Sequence, residues 1–228
     1  MRPLRARKPL AEEAADQIRE EILAGRLGQG ERLVEVRIAE ALNISRGPVR
    51  EAFKLLRAEG LLNEEQNRGT YVVRLSSDDV REIYDLRAAI ESRAAKLLAR
   101  NGRPADLEAI RQALSELEEA ADRRDIAAVS RTDLAFHETV CRLTGNRRLH
   151  EVFMRHVPVM RTMIRLDEHL YASPEEIAGE HRPMVEAIEA RDPELAAARF
   201  ESHVELAFGR VSEYIEHLPG VRAGDGTA

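Results

Sequence analysis

In the stretch DIAAVSRTDLAFHETVCRL, helical spacing sets Asp133 and His137 four residues apart on a face whose other members are Ile126, Val129 and Val140. Two more histidines interrupt apolar faces in the same way: His181 keeps register with Ile177, Met184, Val185 and Ile188, and His203 with Phe200, Val204, Ala207 and Val211. A polar group on a face made for the core needs a partner, because leaving it unpaired in the interior is costly. For any one of these histidines, a hydrogen bond to a core neighbour is an adequate account. A carboxylate and three neutral imidazoles turned into one interior have instead the makings of a divalent metal site, whose nitrogen and oxygen donors suit zinc first, and also nickel or manganese. His150, His156, His169 and His217 lack this register or fall near helix ends and read as surface residues.

A second constellation is basic. Between Ser45 and Gly60, Val49, Ala52, Phe53 and Leu56 follow the spacing of a packed helix face, while Arg46, Arg50, Lys54 and Arg57 line the opposite side. A helix of that kind fits the major groove of B-DNA, where an arginine donates two hydrogen bonds to guanine, and residues at the amino end meet the base edges. Arg46 and Arg50 stand at that end. Ser45 is placed to cap the helix and to reach a phosphate, and Gly47 allows close approach of the backbone. Arg68, between two β-prone runs, would sit at a hairpin tip, within reach of the minor groove or a phosphate. A row of four cations is also what an ordinary solvated helix face looks like, so the neighbouring elements decide its meaning.

Those elements form two sets. The stretch AEEAADQIREEILAGRL predicts a helix with Ala14, Ile18, Ile22 and Leu23 inward. VEVRIAEAL predicts a shorter one with Val36, Ile38, Ala39 and Leu42 inward, followed by a tight turn at Asn43 and Ile44. The basic helix is next, over about 46–59, with Pro48 in its first turn and Gly60 as its stop. LLNEEQ and TYVVRL then predict a hairpin turning at 67–69. Helices followed by a small hairpin make a winged helix-turn-helix, over 10–75. From 76 to 218 the pattern is helical alone, with breaks at 101–104, 123–125, 144–146, 172–174 and 191–193, which predicts an all-α antiparallel bundle of six helices. Residues 1–9 and 219–228 read as loose tails. The fold class is therefore mainly α.

Composition agrees. The chain has 228 residues, 43% of them apolar and 33% charged, enough for two folded domains and against intrinsic disorder. No apolar run approaches the ~18 residues that cross a bilayer, and the amino end lacks the apolar stretch of a secretory signal, which predicts a cytosolic protein without a membrane partner. The lone Cys141 excludes an intrachain disulfide and any thiolate-rich zinc module. Of the net charge of −6, residues 1–74 contribute 14 basic against 12 acidic groups and the rest 21 against 29, a basic head on an acidic body.

The run ERLVEVRIAEALNISRGPVREAFKLLRAEGLL with NRGTYV resembles the winged helix-turn-helix of the GntR family of bacterial transcription regulators. The resemblance implies DNA contact by Ser45, Arg46, Gly47 and Arg50, with Arg68 and Gly69 on the wing. Many relatives have threonine at Gly47 and some an arginine at Val36, so the operator is left open. The spacing in DLAFH, with EHRPMVEAIEARD and SHVE, resembles the FCD domain, the ligand-sensing module of the FadR subfamily, and six helices resemble its VanR branch. The metal ligands that this implies fall on Asp133, His137, His181 and His203, with a small carboxylate effector beside the metal. Arg87, in register with Ile83 and Ile90, matches an arginine that often lines the family's pocket; a salt bridge to Glu91 accounts for it equally well. Arg161 and Arg165 are further effector candidates.

Together these readings predict a dimeric, metabolite-responsive regulator that binds double-stranded operator DNA, a repressor in the commoner mode. Two rivals remain. One is a metal-dependent hydrolase with Glu138 or Glu180 as base, against which stand the missing HExxH arrangement and the complete DNA-binding head. The other is a DNA-binding protein whose metal is purely structural.

Overall fold

The computed structural model describes residues 9–65 and 68–217. They fall into two compact units that divide between Leu75 and Ser76.

In the first unit, helix α1 (Leu10–Leu23) begins with Glu12 and Glu13, which favour its positive amino end, and buries Ala14, Ala15, Ile18, Ile22 and Leu23. A two-residue strand β1 (Arg32–Leu33) precedes α2 (Glu35–Leu42), which ends where Asn43 adopts a left-handed conformation at φ 51°. Helix α3 (Arg46–Ala58) buries Val49, Ala52, Phe53 and Leu56. Burying Phe53 and Leu56 contributes roughly 1.5–3 kcal/mol each, and Arg19 of α1 ties down the far end of α3 through Glu59 at 2.6 and 2.8 Å. Strands β2 (Leu62–Glu65) and β3 (Gly69–Val72) are antiparallel, and β1 joins the other edge of β3, giving the order β1-β3-β2. Gly69 sits at φ +117°, where a side chain is strained and a Cβ would stand 3.1 Å from the Arg32 guanidinium.

The winged helix-turn-helix is thus present, with three corrections. The sheet has a third strand, too short to show periodicity. Val36 is 42% exposed and does not face the core. Ser45 occupies the cap position of α3, but its side chain makes no capping hydrogen bond. The tails expected at 1–9 and 219–228 lie outside the described residues, Pro9 apart, as does Asn67 of the expected turn.

The second unit is a bundle of six helices: α4 (Ser77–Asn101), α5 (Pro104–Asp122), α6 (Ile126–Leu143), α7 (Arg147–His169), α8 (Pro174–Glu189) and α9 (Pro193–His217). Most of the starts are chemically marked. Ser76 and Asp79 form a reciprocal capping pair on α4, Asp125 accepts from Ala128 N on α6, and Asn146 accepts from Leu149 N on α7. Proline opens α5, α8 and α9, where its missing N–H is harmless. The two longest helices, α4 and α9, pack along one another. Phe136, Phe153, Phe200, Leu98, Ile110, Met160 and Met184 fill the centre with no more than 1% exposure each. The register expected for α6 holds from Val129 onward, whereas Ile126, at its first turn, is 41% exposed. No described helix is long and apolar enough to cross a membrane.

Candidate functional site

The basic helix presents its cations as expected. Arg46 and Arg50 are exposed on the first two turns of α3, Gly47 between them is open to solvent, and nothing lies within 4 Å of where its Cβ would stand. Arg68 is exposed beside Glu65 on the wing, next to Gly69. None of the four helix cations is alone: Arg46 and Arg50 share Glu35, Lys54 meets Glu51, and Arg57 meets Glu64. Glu35, on α2, is a member of this surface that helical periodicity along α3 could not reveal.

In the bundle, α6 supplies Asp133 and His137, α8 His181 and α9 His203, all buried. One ring nitrogen from each histidine lies within 4.8 Å of the other two. His181 Nε2 is 3.0 Å from Asp133 Oδ1 and 3.3 Å from His137 Nε2, and Asp133 Oδ2 is 3.9 Å from His137 Nε2. All four residues singled out in the sequence therefore meet. Phe136 stands edge-on to His137 and His181, with ring centres 5.5 and 5.0 Å away, and walls the cluster off on one side.

The outward nitrogens explain how the rings are held. His181 Nδ1 donates to the carbonyl of Ile177 at 2.8 Å. His137 Nδ1 is 2.6 Å from Glu91 Oε2, and His203 Nδ1 is 3.4 Å from Glu180 Oε2, both within ion-pair reach. Each imidazole thus has its Nδ1 near an oxygen, as the ligands of metal sites do, and that of His181 is held by a hydrogen bond of good geometry. With its Nδ1 hydrogen committed to Ile177, His181 carries a bare Nε2 unless the ring is protonated. That Nε2 faces a carboxylate oxygen, so a proton or a cation must lie between them. The donor set fits a divalent transition metal, three imidazoles and one carboxylate.

Electrostatics follow the same logic. Burial works against Asp133, yet His181 and the other two imidazoles hold its carboxyl below the ordinary range, and in return Asp133 raises His181 against the effect of burial. Burial brings His203 down to about 4, leaving it neutral and able to ligate near pH 7. Glu91 is brought down to about 2 by the Arg87 guanidinium and by its contact with His137, which outweigh its burial.

Arg87 makes the salt bridge weighed for it and also borders a small cavity. Its Nε donates to Glu91 at 2.9 Å, both groups being fully buried, and its side chain lines a cavity beside Asp133, His181 and His203. The cavity's volume is about 10 Å³, on the scale of a single water. Asp167, Glu168 and Tyr171 form its far wall. Burial, and then the Asp133 charge, pushes Glu168 up to about 8, and its Oε1 has no hydrogen-bonding partner. Behind that wall Arg210 grips Asp167 at 2.6 and 3.0 Å, reaches Glu180 at 3.2 Å, and meets the Tyr171 hydroxyl. Of the other arginines named from sequence, Arg165 is buried one layer back, on Ser130 at 2.8 Å and Glu168 at 3.4 Å, and Arg161 is half-buried; neither lines the cavity. Glu91, Glu168, Tyr171 and Arg210 were not selected as site residues from sequence, and Glu180 was named only as a base in the rival hydrolase reading. An inward carboxylate four residues after Arg87 was the available signal for Glu91.

Comparison with known proteins divides the chain at the same place. Residues 10–72 match the bacterial regulatory proteins of the gntR family, and residues 82–206 match the FCD domain. The "Probable D-xylose utilization operon transcriptional repressor" of Paenarthrobacter nicotinovorans is 37% identical over 202 residues, 87% of each chain. The "Gluconate operon transcriptional repressor" of Bacillus subtilis (strain 168) is 29% identical over 213 residues, 90% of this chain and 84% of its own. Among solved structures, a GntR transcriptional regulator from Rhodococcus sp. RHA1 superposes with a TM-score of 0.55 at 26% identity, over 88% of this chain and 96% of that one.

Proposed function

Because this chain belongs to the GntR family of DNA-binding transcription regulators and carries an FCD domain, we propose that it is a metal-assisted sensor that represses transcription until a small organic acid enters its helical domain. Relatives named as repressors support the direction of control. In this reading a homodimer in the cytoplasm, where its operator lies, presents two copies of α3 to successive major grooves, with Ser45, Arg46, Gly47 and Arg50 at the bases and phosphates and Arg68 and Gly69 at the wing.

The observation that carries the sensing half is the meeting of Asp133, His137, His181 and His203 next to a cavity that Arg87 lines. Those four residues would hold the ion, zinc first and nickel or manganese next, and bound there it would supply positive charge for a carboxylate. Arg87 supplies a fixed guanidinium on the same cavity. Glu168, with an unused oxygen, offers hydrogen-bonding capacity for a further polar group of the acid. A carboxylic acid needs more than 10 Å³, so the wall formed by Tyr171, which Arg210 holds, is the part that must yield. Operator release would follow from that displacement.

The small cavity also favours a second reading, in which the metal is structural and no acid binds. One experiment separates them. Metal content is measured on the purified protein, and melting temperatures are recorded with and without chelator against sugar acids, gluconate among them since a relative's name contains it, and simple hydroxy acids. A ligand that binds only the folded protein stabilises it, by about 1.4 kcal/mol at ten times its dissociation constant, and so raises the melting temperature. A metal-dependent shift supports the sensor. Strong stabilisation by metal with no response to any acid supports the structural reading.

A further inference from the structure

The first residue of α2 reaches across to the helix that follows it. Glu35 Oε2 accepts from Arg46 Nη2 at 2.9 Å and from Arg50 Nε at 2.8 Å, and Glu35 Oε1 accepts from Arg50 Nε at 3.0 Å. The two arginines lie one turn apart, each with 54% of its side chain exposed, and the carboxylate between them is 30% exposed. Lys54 and Arg57, further along the same stripe, are tied to other acids, so this bridge is confined to the two cations at the amino end of α3. The edge it uses matters. Contact through Nε leaves Arg50's two terminal nitrogens, the fork that matches guanine O6 and N7, outside the Glu35 contact.

We infer that Glu35 is a positioning residue for base reading, one carboxylate that sets two arginines in a joint geometry before DNA arrives. The inference rests on the proposed entry of α3 into the major groove. Two physical effects then oppose each other. A carboxylate at a DNA-facing surface repels phosphate and weakens binding to every sequence. An arginine already held in its binding conformation loses less freedom on contact, which strengthens binding only where that conformation finds its base. Affinity for one duplex mixes the two effects; the ratio between a preferred and a scrambled duplex isolates the second.

The test uses the full-length protein and a randomised duplex library, from which wild type, Arg46→Ala, Arg50→Ala, Glu35→Gln and Glu35→Asp each enrich a set of sequences. The wild-type duplex and its scrambled counterpart are then titrated with each protein. Glu35→Gln is expected to bind the scrambled duplex at least as tightly as wild type, and to lower the preference for the enriched one about tenfold, the scale of ordering one long side chain. The base positions it blurs are those blurred by Arg46→Ala and Arg50→Ala. Glu35→Asp keeps the charge with a shorter reach and blurs the same positions. Glu35 also lies in the first turn of α2, where a negative charge favours the helix. A loss of folded protein scales binding to both duplexes alike and leaves the ratio unmoved. Unchanged base preference in Glu35→Gln, with both duplexes bound more tightly by one factor, would make Glu35 a charge brake and overturn the inference. Unchanged preference in Arg46→Ala and Arg50→Ala would instead remove the groove-reading assignment itself, and the inference with it.

Discussion

At Arg87 and Glu91 a guanidinium and a carboxylate hold one another in the buried interior, and the same carboxylate lies 2.6 Å from His137 Nδ1. Removing Arg87 leaves the buried Glu91 carboxylate with only the His137 imidazole beside it, and removing Glu91 leaves a buried guanidinium without its carboxylate. Arg87→Ala is therefore expected to cost about 3–5 kcal/mol in denaturant melts, and a double replacement by Met and Leu to recover most of it; a single-variant cost under about 1 kcal/mol would show that water reaches the pair. At His181 the outcome is different in kind. His181→Ala removes an inward nitrogen, so metal content should fall while the far-ultraviolet helical signal persists, and full metal retention would remove His181 from the ligand set. These residues were legible in the sequence to unequal degrees. Asp133, His137, His181 and His203 betray themselves by breaking apolar faces, which is a local signal. Glu180 and Arg210 sit on the flanks of their helices, about half-buried, and are recruited by partners that only the folded bundle brings near. Periodicity carries no information about such a choice.

Helix ends show the same division between local and tertiary information. Breakers and prolines located all six helices of the bundle, because each start depends on two or three adjacent residues. At α5 the device is Asp106, whose Oδ2 accepts from Arg103 N at 2.8 Å while the Arg103 guanidinium closes over the same carboxylate. Those bonds bring Asp106 down to about 2 from its ordinary 3.8. With the folded value below the unfolded one, its contribution is present above pH 3.8 and is lost as pH falls toward 2. Asp106→Asn should thus cost about 1 kcal/mol in urea melts near pH 6, with the deficit narrowing once the pH passes below about 4; a deficit independent of pH would assign the effect to packing. Strand β1 escaped the sequence because two residues cannot display an alternation, and its existence is decided by Tyr71 and Thr70 across the sheet. Ser45 had the right type and position for a cap, but residue type offers a cap and does not oblige one.

Across the whole chain, each unit has a hydrophobic core of its own, and the clustered histidines belong to the second alone. Calorimetry of the metal-loaded protein should show a transition that chelator moves to lower temperature and another that it leaves in place; a single transition moving as one would mean that the units melt together. The closed cavity adds a property of time. If the wall bearing Tyr171 must swing out before an acid can enter, the rate of binding after rapid mixing is bounded by the frequency of that excursion. For the sensor proposed above, the observed rate would climb with acid concentration and then level off, and such a regulator would answer a sudden flood of metabolite no faster than its own bundle breathes.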